Sequence, residues 1–438
     1  MDRRRGGRSQ SRFDHRPERE EALVSASEAA ALLGVKRTTL YTYVSRGWVR
    51  CVPVRGTKEN RYARADLERL KARHDARAGH AAVAAGALRW GEPVIDSAVS
   101  RVEARGLAYR GRQPAVALAT EGRSFEDVAE LLWSGVLPEP RGTAWRAPRM
   151  PFAPSALAAL LPRGTPPAEV LSTLVSLLGA RDALRVAAPP EQELARARGL
   201  LRHLAAWVCV ARAPGRVTRA LQEKTVADSL ARAWAARSPR APALLNQALV
   251  LCADHELNVS TFAARVTASS GADLYACIGA AMAALSGPKH GGACDRVEAL
   301  LAEVQRPARA KEVVAAYLRQ GGSVPGFGHR LYPGGDPRTP PLIQAAREVR
   351  PEAPGVRVAQ AVVEVMREAG HPAPSMEVGL VMLAEALGLP KGAASTVFAV
   401  GRSAGWVAHV LEQREQGHLL RPRARYVGPP ASDAATAD

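Results

Sequence analysis

The chain lacks the features that mark secreted, membrane-spanning or metal-binding proteins. No run of about 18 apolar residues occurs, so we expect no membrane span. The N-terminus carries arginines and acids but no apolar core segment, unlike a signal peptide. The cysteines have no Cys-x-x-Cys spacing, which argues against a disulfide framework or a zinc site and favours a reducing compartment; they are Cys51, Cys209, Cys252, Cys277 and Cys294. We therefore predict a cytoplasmic protein.

Aromatic residues are also scarce. They make up 5% of the 438 residues, whereas 47% are hydrophobic and alanine and leucine dominate. This mixture favours helix over sheet, and alternating strand patterns are almost confined to two short hairpins. The sequence predicts an all-α protein that is long enough for two or three domains.

Negative charge is in short supply, and the deficit is uneven. The formal net charge is +18, and the first 80 residues hold 19 Lys and Arg against 10 Asp and Glu. Half of the excess thus lies in less than a fifth of the chain, which indicates a module that faces nucleic acid. The alternative is a general arginine bias with a solvated tail.

Residues 1–21 are rich in Arg, Gly and Ser and are predicted to be a disordered basic tail. A compact pattern follows at 22–73. Ser25 and Glu28 form a capping box at the start of one helix, and a second helix follows from Lys36 to Ser45. A basic strand-turn-strand and a third helix complete a pattern that resembles a winged helix-turn-helix of the MerR or excisionase type. Residues 74–87 are predicted to be a linker.

This resemblance implies that the second helix enters the major groove of DNA. Arginine and lysine neutralise phosphates, and short polar side chains reach base edges. The alternative is a module that only packs on the rest of the protein or aids assembly. The candidate DNA contacts are Arg37, Thr38, Thr39, Tyr41, Arg46, Arg55, Lys58 and Arg61.

The rest of the chain is organised around the stretch Leu285 to Cys294, which reads Leu-Ser-Gly-Pro-Lys-His-Gly-Gly-Ala-Cys. Its His290 lies between turn-forming residues, and helical runs are predicted before it (Ser270 to Leu285) and after it (Asp295 to Val304). Glycines allow a ligand to approach the main chain closely. Taken alone, the pattern also fits a helix-helix turn whose histidine caps a terminus.

Two further histidine motifs occur in the same region. One reads Asp254-His255-Glu256-Leu-Asn-Val-Ser, and the other is Pro-Gly-Phe-Gly-His329, followed by Asp336-Pro-Arg338. Together with the stretch around His290, these motifs resemble the citrate synthase family, which carries three such histidines in this order. The resemblance covers roughly Leu88 to Gly428.

The resemblance implies the citrate synthase fold. A large helical domain is expected at residues 88–291 and 401–438, with a small hinged helical domain at 292–400. It also implies an acyltransferase that condenses acetyl-CoA with oxaloacetate to give citrate and CoA. No P-loop, G-x-G-x-x-G motif or metal cluster is present, so no cofactor is expected and acetyl-CoA serves as co-substrate.

Residue roles follow from the same resemblance. The hard step removes a proton from a thioester methyl group, which needs a carboxylate base and a donor to the enolate oxygen. His290 matches the donor, and His329 matches the histidine that polarises the oxaloacetate carbonyl. The oxaloacetate contacts match His255, Arg338 and Arg402, with Arg421 reaching in from the neighbouring subunit of a homodimer; guanidinium forks suit carboxylates.

The base departs from the family pattern. Glu377 stands where the family has aspartate, and its extra methylene moves the carboxylate by about 1 Å, which can cost on the order of 100-fold in rate. Either the backbone compensates, or turnover is slow, or the protein is not a proficient synthase. A basic residue is also missing near Tyr332-Pro-Gly-Gly, so Arg330 or a residue elsewhere has to meet the CoA phosphates.

Three alternatives stay open. In the first, the acyl donor is propionyl-CoA and the product is 2-methylcitrate. The sequence does not separate this donor from acetyl-CoA, because a pocket discriminates one carbon by only about 1–3 kcal/mol. The protein is a DNA-binding transcriptional regulator with a catalytically weak sensor domain. Or it is an enzyme whose small module mediates protein contacts.

Overall fold

A computed structural model describes residues 23–45, 48–54, 60–64, 66–68, 70–71, 95–103, 106–186, 189–422, 424 and 428. The predicted basic tail at 1–21 and linker at 74–87 lie outside the described residues, as do Arg46, Arg55 and Lys58. Two compact units are formed. The first contains the described residues up to Ile95 together with Ala424 and Gly428, and the second contains those from Asp96 to Pro422.

The first unit combines a small sheet with helices. Its elements are β1 (Leu23–Ser25), α1 (Ala26–Leu33), α2 (Arg37–Ser45), β2 (Cys51–Pro53) and β3 (Asn60–Ala63). The sheet is antiparallel with the order β1-β3-β2, and Tyr62 of β3 pairs with Val24 and Cys51. Strand β1 was not predicted, because three residues are too few to show alternation.

The predicted capping box is confirmed. The Ser25 side chain accepts from the Glu28 N–H, and Glu28 reaches back to the Ser25 N–H at 2.8 Å. Gly34 then ends α1 with φ +65°, a left-handed angle that glycine adopts without strain. The core of this unit is formed by the buried side chains Ala29, Leu40, Val49, Tyr62 and Leu67.

The second unit opens with an antiparallel sheet of order β4-β5-β6, formed by β4 (Ser100–Glu103), β5 (Gly106–Tyr109) and β6 (Gln113–Pro114). The remainder is helical, which confirms the all-α prediction. Its helices are α3 (Ala115–Thr120), α4 (Phe125–Ser134), α5 (Pro154–Leu160), α6 (Pro167–Arg181), α7 (Pro190–Trp207), α8 (Val217–Gln222), α9 (Val226–Trp234), α10 (Ala241–Cys252), α11 (Val259–Ser269), α12 (Leu274–Leu285), α13 (Ala293–Val304), α14 (Ala310–Arg319), α15 (Thr339–Val349), α16 (Pro354–Glu368), α17 (Met376–Leu387) and α18 (Ala393–Gln416).

Several helix bounds differ from those predicted. Helix α12 begins at Leu274 rather than Ser270, because the Asp273 side chain accepts from the Ala276 N–H and caps it. Helix α17 begins at Met376, and α18 starts after Gly392 (φ +80°) and ends before Gly417 (φ +69°).

Helix α18 is the longest described helix and is buried along most of its length. Its glycines let it press against the end of α10. A Cβ at Gly401 would lie 2.7 Å from Cys252 Cβ, and one at Gly405 would lie 2.3 Å from Asp254 Oδ1. This close approach brings Arg402 of α18 beside the turn that follows α10.

The predicted division into a large and a small domain stays a prediction; its position between residues 400 and 401 lies inside α18. Among the described residues, no helix has both the length and the apolar character that crossing a membrane requires.

Candidate active site

The first histidine, His255, lies in the turn between α10 and α11 and is buried. The Ser100 hydroxyl holds the residues on either side of it, because it donates to the Asp254 carboxylate and accepts from the Glu256 N–H at 2.9 Å. Glu256 has φ +54°, which turns the chain sharply after His255. The His255 Nε2 lies 3.0 Å from the Tyr332 hydroxyl.

His290 lies in the loop between α12 and α13, as predicted. Glycine is required beside it, since a Cβ at Gly291 would lie 1.9 Å from the Leu285 carbonyl oxygen. The His290 Nε2 lies 2.9 Å from Ser260 Oγ and 3.3 Å from the Ser260 N–H. Because an N–H can only donate, Nε2 accepts, and the proton of the neutral ring lies on Nδ1.

Electrostatics keep His290 neutral. Burial, reinforced by the positive charge of Arg402, lowers the pKa of His290 to about 4, although Glu377 opposes the shift. At pH 7 the ring is therefore a neutral imidazole whose Nδ1–H is available as a hydrogen-bond donor.

The His329 loop is held against the segment that precedes α17. Gly328 N–H donates to the Ala373 carbonyl at 3.0 Å, and Ser375 N–H donates to the Gly326 carbonyl at 2.8 Å. The Leu331 N–H donates to His329 Nδ1 at 3.2 Å, so the ring proton lies on Nε2. Burial is the main cause that lowers the pKa of His329.

Glu377 lies in the first turn of α17, where the Ser375 hydroxyl donates to its Oε2 at 2.5 Å. Its negative charge raises the pKa of both His290 and His329 against the effect of burial. The carboxylate therefore lies within electrostatic range of both imidazoles. The structure brings together the three residues that the sequence predicted as catalytic.

Two of the three predicted arginines join this group, and both are buried. Arg338 donates to Asp336 from Nε at 2.9 Å and from Nη2 at 2.6 Å, while its buried Nη1 has no partner among the described residues. Arg402 donates from Nε to the Cys252 carbonyl at 2.8 Å.

The charge of Arg338 acts on Arg402, and the charges of both arginines act on His255. Burial, helped by Arg338, lowers the pKa of Arg402, while Asp254 opposes the shift. Burial and then both guanidinium groups lower the pKa of His255 well below its usual range. Two buried positive charges near one another suit a ligand with two negative groups.

Arg421, the third predicted arginine, is exposed and follows α18. No contact among the described residues of one chain joins it to His255, Arg338 or Arg402. Arg330, the suggested substitute for a CoA-phosphate contact, is also exposed. No group of three or more potential metal ligands occurs in the described part of the chain.

Two functional contacts were missed by sequence reasoning. Tyr332 contacts His255, and its ring lies 5.0 Å from that of His329. Ser260 contacts His290 and also accepts from the Trp406 indole N–H at 3.2 Å. Both residues stand in the recognised motifs, but their spacing along the chain gives no sign of these partners.

In the first unit, α2 and β3 present the predicted DNA contacts that the structure describes. Arg37, Thr38, Tyr41 and Arg61 are exposed, and Thr39 is half-buried. The Arg37 guanidinium donates to the Ser27 hydroxyl, which ties it to α1. The predicted contacts Arg46, Arg55 and Lys58 lie outside the described residues.

Comparison with protein families gives two matches. Residues 87–423 match the family described as citrate synthase, C-terminal domain. Residues 23–75 match a family described as helix-turn-helix domain.

Two curated relatives illustrate the first match. The 2-methylcitrate synthase 2 of Corynebacterium glutamicum is 32% identical over 356 residues, which cover 76% of this chain and 92% of the relative. Citrate synthase 2 of Bacillus subtilis is 30% identical over 328 residues, which cover 71% of this chain and 87% of the relative.

Solved structures agree with the fold. Citrate synthase from Thermotoga maritima superposes with a TM-score of 0.63 at 29% identity, covering 77% of this chain and 94% of that one. The Thermoplasma acidophilum citrate synthase, solved as a ternary complex with carboxymethyl coenzyme A and oxaloacetate, gives a TM-score of 0.68 at 24% identity, covering 78% and 96%.

Proposed function

The chain belongs to the citrate synthase family and is a citrate synthase-type acyltransferase, and we propose that it condenses acetyl-CoA with oxaloacetate to give citrate and CoA. The observation that supports this choice is the convergence of His290, His329 and Glu377 beside two buried arginines. The Thermoplasma acidophilum relative holds oxaloacetate and a CoA analogue in its own structure.

The first step is enolisation of the thioester. Glu377 accepts a proton from the methyl group, and the neutral His290 donates its Nδ1–H to the thioester oxygen as negative charge develops there. The Ser260 N–H donates to His290 Nε2 and so fixes the tautomer in which Nδ1 carries the proton. That Nδ1–H is the group that donates to the thioester oxygen.

The second step forms the carbon-carbon bond. Arg338 and Arg402 bind the two carboxylates of oxaloacetate, and His329 donates from Nε2 to its keto oxygen, which makes the carbonyl carbon more electrophilic. The enol carbon attacks that carbon, and water then hydrolyses the citryl thioester to release CoA.

Propionyl-CoA is the second candidate for the acyl donor. One relative that is 32% identical is named a 2-methylcitrate synthase. The same residues serve both reactions, because the two acyl groups differ by one methylene.

The test is oxaloacetate-dependent release of free CoA thiol, measured with acetyl-CoA and propionyl-CoA in parallel. We expect release with acetyl-CoA at the higher kcat/KM. Release with propionyl-CoA alone would replace citrate by 2-methylcitrate as the product. No release with either donor would overturn the proposal.

The longer side chain of Glu377 is tested by the Glu377→Asp variant. A large gain in kcat would show that the native carboxylate is misplaced. We expect a loss instead, because Ser375 and the backbone pairing at Gly326 hold the glutamate in its present position.

A second function concerns the first unit. We propose that its helix-turn-helix binds DNA, on the basis of the family match and the exposed Tyr41 and Arg61. Selection from random duplexes, followed by anisotropy titrations at several salt concentrations, tests it.

Sequence-selective DNA binding that changes when oxaloacetate is added, together with a low kcat, would favour a transcriptional regulator with a catalytically weak sensor domain. Replacing Arg61 by alanine should weaken binding and reduce the salt slope by about 1. The matched control is Arg64→Ala, because Arg64 is also exposed but pairs with Glu68 at 2.9 Å. Binding that is equal for all sequences would reflect net charge alone.

A homodimer is proposed as well, with Arg421 of one subunit completing the oxaloacetate site of the other. Sedimentation equilibrium tests the assembly. Mixing Arg421→Ala with Glu377→Gln protein tests the shared site, because hybrid dimers would regain one intact site and hence activity.

A further inference from the structure

A chain of buried polar side chains runs behind the oxaloacetate site. It begins at Arg265 of α11, which is fully buried. Arg265 donates to Gln413 Oε1 at 3.0 Å, to Glu412 Oε2 at 2.5 Å and to Gln416 Oε1 at 2.8 Å. Its Nη1 also lies 3.2 Å from Nδ1 of His409, a residue of α18 that is 1% exposed.

These contacts fix the protonation of His409. A guanidinium group can only donate, so His409 Nδ1 must accept from Arg265. The proton of the imidazole is then on Nε2. That nitrogen donates to Asp254 Oδ2 at 3.4 Å and lies equally far from Oδ1, which has no hydrogen-bond partner among the described residues.

Asp254 connects this chain to the site in two ways. It directly precedes His255, and the Ser100 hydroxyl donates to the Asp254 carboxylate while it accepts from the Glu256 N–H on the other side of that histidine. It is also the negative charge that favours the charged form of Arg402, with no hydrogen bond between them in the described residues.

His409 and Arg402 lie on the same helix and are seven residues apart, so they share one face of α18. Gly405 lies between them, and its missing side chain lets Asp254 come within contact of the helix. The Gly405 N–H donates to the Ala253 carbonyl at 2.8 Å. The face of α18 and the turn that bears His255 are thus locked together around Asp254.

We propose that His409 is a positioning residue for the keto-diacid site, orienting Asp254 so that His255 and Arg402 are held where oxaloacetate binds. This inference rests on the proposed function. It assigns His409 no contact with substrate. Its effect therefore falls on the affinity for oxaloacetate and leaves the acyl-CoA side unchanged.

The test compares two replacements of His409 with one control. His409→Met keeps an apolar side chain of similar size but has no N–H to donate to Asp254. His409→Gln keeps a donor and an acceptor on one planar group. The control is His203→Met, because His203 of α7 is likewise buried and its Nδ1 has no partner among the described residues.

We expect His409→Met to raise the KM for oxaloacetate about ten-fold, the size of one hydrogen bond to a charged group, with the KM for acyl-CoA unchanged. His409→Gln should restore the oxaloacetate KM close to that of the unaltered protein. His203→Met should leave both KM values as they are. Thermal unfolding of all three variants reports losses of stability separately.

Equal oxaloacetate KM values in His409→Met and the unaltered protein would overturn the inference, as would a rise that His409→Gln fails to reverse. If His409→Met does not fold, the comparison is made between His409→Gln and His409→Asn. Asparagine reaches only the position of Nδ1 and so has no donor to Asp254, and we expect the KM for oxaloacetate to rise in His409→Asn but not in His409→Gln. If the unaltered protein releases no CoA, the proposed reaction is wrong. The affinity for oxaloacetate, measured by calorimetry on the same variants, then decides the role of His409. If oxaloacetate does not bind at all, both the proposed reaction and the role of His409 are wrong.

Discussion

The second unit buries two pairs of arginines in different ways. Arg338 and Arg402 lie in the candidate site, whereas Arg202 and Arg265 lie elsewhere, and all four are at most 3% exposed. Burying a guanidinium group costs several kcal/mol unless it is paired or hydrogen-bonded. What separates the pairs is how fully the protein uses their terminal nitrogens, since the Nε of Arg202 also lacks a partner among the described residues.

Arg202 and Arg265 are engaged by the protein. The two terminal nitrogens of Arg202 donate to four carbonyl oxygens, those of Trp145, Leu221, Glu223 and Lys224. Those of Arg265 donate to three side chains of α18, which are Glu412, His409 and Gln416. Each guanidinium therefore joins segments of the chain that are distant in sequence.

Arg338 and Arg402 keep donors in reserve. Nη1 of Arg338 is buried without a partner, and in the described residues Arg402 uses Nε for its hydrogen bond to Cys252. A buried arginine is thus no sign of a binding site by itself. A buried arginine whose terminal nitrogens are unused, beside more than one neutral imidazole, is the arrangement found at the candidate site.

The largest expected effect tests whether the candidate site that contains Arg338 and Arg402 is catalytic. Glu377→Gln keeps the size of the side chain and removes its basicity, so kcat should fall by about 100- to 10,000-fold. Steady-state kinetics of CoA release measures it. An unchanged kcat would show that Glu377 is not the base and that the arginines do not flank a reaction centre.

The next effect contrasts the two pairs directly. Arg402→Lys retains the charge but loses the fork, and kcat/KM for oxaloacetate should fall about 100-fold. Arg202→Lys should leave kcat/KM unchanged and lower the free energy of unfolding, since the carbonyl oxygens it serves lose partners. Equal losses of kcat/KM in both variants would remove the distinction between the pairs.

The smallest effect concerns the structural region around Arg202. Burial raises the pKa of Glu126 to about 7, and its Oε2 has no partner among the described residues. Between the ordinary carboxyl pKa and about 7, the unfolded chain releases a proton that the folded protein retains, so stability falls as the pH rises.

Glu126→Gln cannot ionise and should therefore be more stable than the unaltered protein above pH 7, by up to about 3 kcal/mol. Urea unfolding at pH 5 and pH 8 measures the difference. A gain of the same size at both pH values would contradict the assigned titration. Activity should not change, because Glu126 contacts Val226 rather than the site.

Local signals in the sequence predicted local structure well. Ser25 and Glu28 are three residues apart, and the capping box they predict is present. Two of the three histidine motifs contain glycines whose need is local, as at Gly291 and Gly326, where a Cβ would meet neighbouring atoms closer than 3 Å. Helix starts were less certain, since capping is decided by the chain that precedes each helix.

Contacts between distant segments were not predictable. Arg265 and Glu412 are 147 residues apart, and Ser100 and Asp254 are 154 residues apart. The residues next to them in the sequence do not distinguish these four from the many other polar and charged residues of the chain.

The sequence by itself determined the helical character and the family, and it predicted His290, His329, Glu377, Arg338 and Arg402 as site residues. Residue type and short-range spacing carry that information, because helix capping, tight turns and the chemistry of a side chain are properties of a few neighbouring residues. Only the tertiary structure decided which buried charges are left with free donors and which ring nitrogen carries each proton. Several of those partners are distant in the sequence, such as Cys252 for Arg402 and Arg265 for His409.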